Sequence, residues 1–315
     1  MNQNARIATV TLNPAIDRTV FVPNFKAGQV NRVEREQSDA GGKGVNVASV
    51  LADFGFAMAA TGFLGAENSY IFEQLFARKK IEDRFVRITG RTRTGIKIID
   101  EVHQETTDLN FPGQAPSEAD VASLFQLVEG LTADYPWFVL AGSIPAGVSS
   151  SLYRNLIEII KAKGRAVALD TSGEGLHRAL PAAPTLIKPN LDELRELTGQ
   201  SLSTQARVVE AAQSLLRQGI QTVVISMGAE GAIFVEADEV VLAQPPQVAV
   251  VSTVGAGDAM VSGTVAGKTL GLSLAECARL ATAFSANTVS QVGSGLPSLD
   301  VIENLKSQVT LRHLN

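Results

Sequence analysis

Asp258 follows Gly255, Ala256 and Gly257 and opens a long apolar stretch, "GAGDAMVSG". The preceding run "QVAVVS" (residues 247–252) reads as a strand that turns through the glycines into a helix. Such a turn aims backbone N–H groups at one point and makes an anion site. A carboxylate beside it can take a proton from an attacking hydroxyl while the N–H groups hold a transferring phosphoryl group. The plainer alternative is an acid that only complements the helix dipole, worth a few tenths to ~1 kcal/mol.

A second candidate is "DAGGKGVNVAS", residues 39–49, where Gly42 and Lys43 precede a helix-like apolar run. It resembles a P-loop, but that pattern needs a glycine five residues before Gly42 and a hydroxyl residue after the lysine. Gln37 and Gly44 stand there instead. "GTVAGKT" (263–269) fails too: three residues, not four, lie between its glycines, and it falls inside an expected helix, so Lys268 is expected at the surface.

Weaker signals surround these two. "LIKPNLDEL" places Lys188, Asn190 and Glu193 at a strand end. Asn190 and Glu193 have capping-box spacing, and they also suit a hydrated magnesium ion on nucleotide phosphates. "SMGAEGAIF" offers Ser226, Gly228 and Gly231 either to a nucleotide or to a plain hairpin. Asp17 ends "TLNPAID", as a turn residue or as a ligand for sugar hydroxyls. "GRTRTGIKI" supplies Arg91, Arg93 and Lys97, the last two alternating along one expected strand, where surface charge is the usual explanation.

The elements that must position these residues follow a βα rhythm. "RIATVTL" reads as a first strand, "KGVNVASVLADF" as a helix closed by Gly55, and a strand follows near residues 58–63. A helix ending at Gly164 precedes the strand "AVALD", and a helix through Val208, Ala212 and Leu215 precedes "TVVIS". Repeated units of this kind imply a mostly parallel sheet with helices on both faces and ligands at the carboxyl ends of its strands. Residues 17–38 and 93–111 break the rhythm with apolar–polar alternation, and read as antiparallel strands outside the main sheet.

Composition sets outer bounds. The chain has 315 residues, a hydrophobic share of 45% and a net charge of −5, with acids and bases interspersed. Nucleic-acid binders concentrate basic charge, so that class is disfavoured. One cysteine, Cys277, allows no internal disulfide, and His103, His177 and His313 lack metal-ligand spacing. With no leader-like N-terminus and no membrane-length apolar run, a cytoplasmic protein is expected.

In this order, "NPAID", "GGKGVNVA", "GSIPAGV", "KPNLDEL", "SMGAEGA" and "STVGAGDAMVSG" resemble the motifs of the ribokinase-like PfkB family of sugar kinases, along nearly the whole chain. The resemblance implies one α/β kinase domain over residues 1–315, with a small β lid at about 17–38 and 93–111. It implies a sugar-phosphate kinase that uses ATP and Mg2+, with Asp258 as general base and Gly255, Ala256 and Gly257 completing an anion hole. By the same matching, Asp17, Gly42, Lys43, Asn46, Arg93 and Ser143 line the sugar-phosphate side, with Lys97 as a further cation. Lys188, Asn190 and Glu193 serve ATP and its magnesium, the last two through water. Ser226, Gly228 and Gly231 serve the nucleotide, and Asn287 its adenine.

Within the family, "TLNPAID", "GRTRTGIKI" and "DLNFPG" are most similar to the branch that phosphorylates fructose 1-phosphate at its 6-hydroxyl, giving fructose 1,6-bisphosphate and ADP. Tagatose 6-phosphate and fructose 6-phosphate are the alternative acceptors. Lys43, beside glycines that let backbone approach the sugar, would meet the phosphate the acceptor already carries. A homodimer through the lid is implied by the family, with no nucleic-acid or membrane partner. An intact Asp258 argues against a sensor that has lost catalysis. No G-x-G-x-x-G follows the first strand, which argues against a dinucleotide oxidoreductase.

Overall fold

Short apolar runs that do not alternate with polar residues need cover on both faces. The first strand, Arg6–Thr11, is such a run, buried from Ile7 onward. In the computed structural model, which describes residues 5–291, 293 and 295–314, it lies inside an 11-stranded sheet. The spatial order is Thr310–His313, Val240–Gln244, Ala232–Val235, Thr222–Ser226, Leu186–Ile187, Ala166–Asp170, Trp137–Ala141, Arg6–Thr11, Ala57–Gly65 and Glu82–Asp83. Val86–Ile88 also pairs with Ala57–Gly65. Pairing is parallel from Thr222–Ser226 to Glu82–Asp83 and antiparallel beyond Thr222–Ser226.

Two cores flank the sheet because successive strand residues point to opposite faces. Ala8, Val10, Phe138, Leu140, Val167 and Leu169 join one core with helices Leu152–Ala162 and Gln205–Leu216. Ile7, Val139 and Ala168 join the other, with helices Lys43–Phe54, Ala256–Thr269 and Leu274–Val289. Leu152–Ala162 buries Leu152, Leu156, Ile157 and Ile160, a helical stripe whose large side chains each contribute roughly 1.5–3 kcal/mol. Lys43–Phe54 stops at Gly55, whose φ of 104° is left-handed, as the sequence leads one to expect.

The two segments that break the rhythm do form a separate four-stranded sheet, in the order Arg35–Gly41, Ala15–Phe21, Arg93–Asp100, Glu105–Asn110. Its central pair, Ala15–Phe21 with Arg93–Asp100, is parallel, which corrects the expectation of antiparallel strands throughout. The expected strand at 247–252 is absent: the segment is irregular, and the N–H groups of Val251 and Ser252 both bond the Val289 carbonyl. Pro245 and Pro246 interrupt the chain just after Val240–Gln244, and both sides of that strand are already paired. Proline lacks the N–H a ladder needs.

The "GTVAGKT" stretch lies within helix Ala256–Thr269, as expected. Its Gly263 is required by packing, since a side chain there would collide with the backbone of Ala281 on the neighbouring helix. Lys268 is not a free surface residue: its side chain is 19% exposed and ion-pairs with Glu236.

Candidate active site

The carboxyl ends of the parallel strands converge where the two sheets meet. Ser143 follows Trp137–Ala141, Asp170 ends Ala166–Asp170, Lys188 follows Leu186–Ile187, and Ser226 ends Thr222–Ser226. Helix Ala256–Thr269 presents its N-terminus to the same region. Its N-cap, Gly255, has φ 80° and no side chain to cap the helix; the Ala256 N–H makes only a long bond of 3.4 Å to the Thr253 carbonyl, so the first turn can still receive a ligand. A Cβ on Gly257 would lie 3.3 Å from Lys188 Nζ, which places that ammonium at the mouth of the anion site.

Asp258, only 7% exposed, accepts a hydrogen bond of 2.8 Å from Asn46 Nδ2. Burial, and secondarily the charge of Asp170, push its pKa up to about 7, against the pull of Asn46, Lys43 and Lys188. A carboxylate tuned this way is a competent proton acceptor near neutral pH. Asn46 reaches it from the first turns of helix Lys43–Phe54, which packs against Ala256–Thr269. Lys43 begins that helix, and its Nζ lies 3.2 Å from Asp170 Oδ1. Burial works against the Lys43 charge, but Asp170, Asp258 and Glu193 outweigh it and hold the ammonium above its ordinary pKa. Lys188 Nζ stands 3.5 Å from the same Asp170 oxygen.

On the small sheet, Asp17 faces Gly41 and Gly95. A side chain on Gly41 would occupy the position of the Asp17 carboxylate, and a Cβ on Gly95 would lie 3.1 Å from Asp17 Oδ1 and 3.5 Å from Asn110 Oδ1. Burial raises the Asp17 pKa, with Lys97 and Arg93 opposing. Arg93 gives a weak hydrogen bond of 3.4 Å to the Asn13 carbonyl, while its Nε is buried without a partner. It forms no salt bridge among the described residues. A half-buried guanidinium left this way is prepared for an anion. Asn13 Nδ2 also donates to Ser143 Oγ at 3.0 Å, which joins the first strand's loop to that of Trp137–Ala141. Gly42 sits in the turn between Arg35–Gly41 and Lys43–Phe54, and a side chain on Gly44 would collide with Thr11.

A cavity of about 700 Å³ opens beside the anion site, lined by Ser226, Gly228 and Gly231 and by Ala256 and Gly257, with Val250 and Val289 among its apolar walls. Asn287 does not line it. It is 5% exposed and donates to the Gly295 carbonyl, because helical rotation turns Ser285, Ala286 and Val289 toward the cavity instead. Asn190 and Glu193 make the reciprocal capping box at 2.8 and 2.9 Å, so the structural half of that reading holds. This bonding leaves the second Glu193 oxygen without a part in the cap.

Sequence reasoning missed Asp170 as a site residue, although its place at the carboxyl end of a buried strand was a usable sign. It also missed Asn13 and Asn110, whose roles depend on how distant loops meet.

The comparisons agree with this geometry. Along 310 residues the chain is 48% identical to a 1-phosphofructokinase of Rhodobacter capsulatus, covering 98% of each. A structure of phosphofructokinase-2 from Escherichia coli with substrates and products superposes with a TM-score of 0.91 at 29% identity, covering 96% of this chain and 99% of that one. A possible 1-phosphofructokinase of Thermotoga maritima gives 0.90 at 28% identity, covering 98% and 100%. The family model for pfkB family carbohydrate kinases matches residues 5–301, and the chain belongs to that family.

Proposed function

We propose that this kinase transfers the γ-phosphoryl group of ATP to the 6-hydroxyl of fructose 1-phosphate, releasing fructose 1,6-bisphosphate and ADP. The observation that carries the reading is Asp258, buried at the N-terminus of Ala256–Thr269 with a proton affinity suited to neutral pH. The acceptor lies across Asp17, Gly42, Asn46 and Ser143, with its phosphate toward Lys43, Arg93 and Lys97. Asp258 takes the proton as the 6-oxygen forms its bond to phosphorus, and the bond to the ADP oxygen breaks. The N–H groups of Gly255, Ala256 and Gly257, with Lys188, hold the charge that builds on the transferring group. ATP enters from the cavity bordered by Ser226, Gly228 and Gly231.

Magnesium fits this site in hydrated form. Among the described residues no cluster of three or more His, Cys, Asp or Glu side chains could cage a metal. Magnesium needs only one or two protein oxygens besides phosphate and water, and Glu193, with Asn190, is placed to hold its waters. When bound, the ion neutralises phosphate charge and orients the nucleotide.

The small sheet is a lid on the same domain, covering residues 17–38 and 93–111. Exposed Val30, Val33, Leu109 and Phe111 on it suit a homodimer. No helix among the described residues is long and apolar enough to cross a membrane, and a cytoplasmic site of action fits the sugar-phosphate chemistry.

Phosphorus-31 NMR of the product tests the reading. A second phosphate ester on carbon 6, formed with equimolar ADP, is the expected result. Absence of ADP formation from fructose 1-phosphate and ATP removes the assignment, and turnover of tagatose 6-phosphate instead transfers it to that acceptor.

A further inference from the structure

Asp170 has a position that the roles given above do not explain. It ends a central strand and is 1% exposed, and one of its oxygens serves two ammonium groups, Lys43 Nζ at 3.2 Å and Lys188 Nζ at 3.5 Å. Its other oxygen, Oδ2, is buried with no hydrogen-bond partner. Lys43 comes from the helix that also carries Asn46, and Lys188 stands over the N-terminus that carries Asp258. One carboxylate thus ties the acceptor's cation to the donor's cation, next to the proton acceptor.

We propose that Asp170 is a positioning residue that holds Lys43 and Lys188 to a common anchor, so that the two substrates' phosphates are set in register across Asp258. The inference rests on the kinase reading above. Packing alone does not account for the arrangement: a buried carboxylate with an unsatisfied oxygen is costly unless its charge has a use. Burial works against the Asp170 charge, but Lys188 and Lys43 outweigh it and lower its pKa, so it is ionised at neutral pH. The groups facing Asp258 are then Asp170, Lys43 and Lys188, together with Asn46. Asp170 raises the proton affinity of Asp258 and the two lysines lower it.

Opposed signs give the test. In Asp170→Asn the anionic charge is lost and both lysines are freed, so the acid limb of the kcat/KM–pH profile moves to lower pH. The same variant loses about tenfold or more in kcat, because cations without their anchor no longer align the phosphates. In Lys43→Gln the Asp170 charge is less compensated, and the limb moves to higher pH. Opposite movements of the two limbs, with wild type turning over fructose 1-phosphate in the same assay, are the expected result. Should Asp170→Asn not fold, the neutral Asp170→Ser takes its place in the same comparison.

A limb unmoved in the folded variants, or moved the same way in both, overturns the role of Asp170 while the kinase reading stands. A kcat loss in Asp170→Asn with the limb in place assigns it a structural role only. A wild type without turnover on any sugar phosphate removes both.

Discussion

At the scale of single residues, Asp258 trades stability for chemistry. Its folded-state pKa of about 7 lies above the ordinary value of 3.8. The native state therefore favours the protonated form, and stability is greatest below the unfolded pKa and lost as pH rises through the folded one. Asp258→Asn keeps the size of the side chain and removes that cost. It is expected to raise Tm at about pH 8, with the gain vanishing at about pH 4, when thermal unfolding is followed at both. The same variant should lose roughly 10²–10⁴-fold in kcat. A folded variant with near-normal turnover would remove Asp258 as the base. Activity of the wild type should rise through pH 7, since only the carboxylate accepts the proton. Arg93, whose buried Nε has no hydrogen-bond partner, is the residue proposed to carry the acceptor's phosphate. Charge-assisted hydrogen bonds are worth ~1.5–3 kcal/mol, so Arg93→Ala is expected to lower kcat/KM for the sugar phosphate by roughly ten- to a hundredfold. Unchanged kcat/KM would place the phosphate elsewhere.

At the scale of elements, one carboxylate braces the loops at one end of the small sheet. Asp100, 3% exposed, accepts hydrogen bonds from the N–H groups of Asn24, Phe25 and Val102 and contacts His103 Nδ1 at 2.8 Å. Burial alone would raise its pKa, but the bonds from His103 and from the backbone of Asn24, His103 and Phe25 hold it well below the usual carboxylate range. This bracing ties the loop at Asn24 and Phe25 to the turn at Val102 and His103, which suits strands that move together. Amide exchange measured with and without both substrates should slow across 17–38 and 93–111, because closure excludes water from the transfer site. Unchanged exchange in both segments at saturation would contradict a closing lid. The small sheet was legible from alternation in those two segments, but the parallel pairing of Ala15–Phe21 with Arg93–Asp100 was not, since local pattern does not encode which distant strand lies alongside. The false strand at 247–252 has the same origin. Val248, Val250 and Val251 favour a strand, yet Pro245 and Pro246 precede them and the adjoining strand Val240–Gln244 is already paired on both sides.

At the scale of the whole molecule, the site exists because strand ends far apart in sequence converge. Contiguous stretches announced Asp258, Lys43, Lys188 and Ser226, since each lies in a turn whose residue types are chemically unusual. Asp170 was silent because its meaning depends on two lysines, one 127 residues earlier in the chain. Asn287 was misplaced because a loose motif does not fix which side of a helix faces the cavity. The residues proposed to meet the acceptor include Lys43, Arg93 and Lys97, more positive charge than a neutral sugar requires. Specificity is therefore the property that integrates all of these parts. The most direct test compares kcat/KM for fructose 1-phosphate, fructose 6-phosphate and tagatose 6-phosphate at saturating ATP. The account predicts that fructose 1-phosphate leads by at least about tenfold, ~1.4 kcal/mol of transition-state binding. Comparable or better use of either 6-phosphate would contradict it.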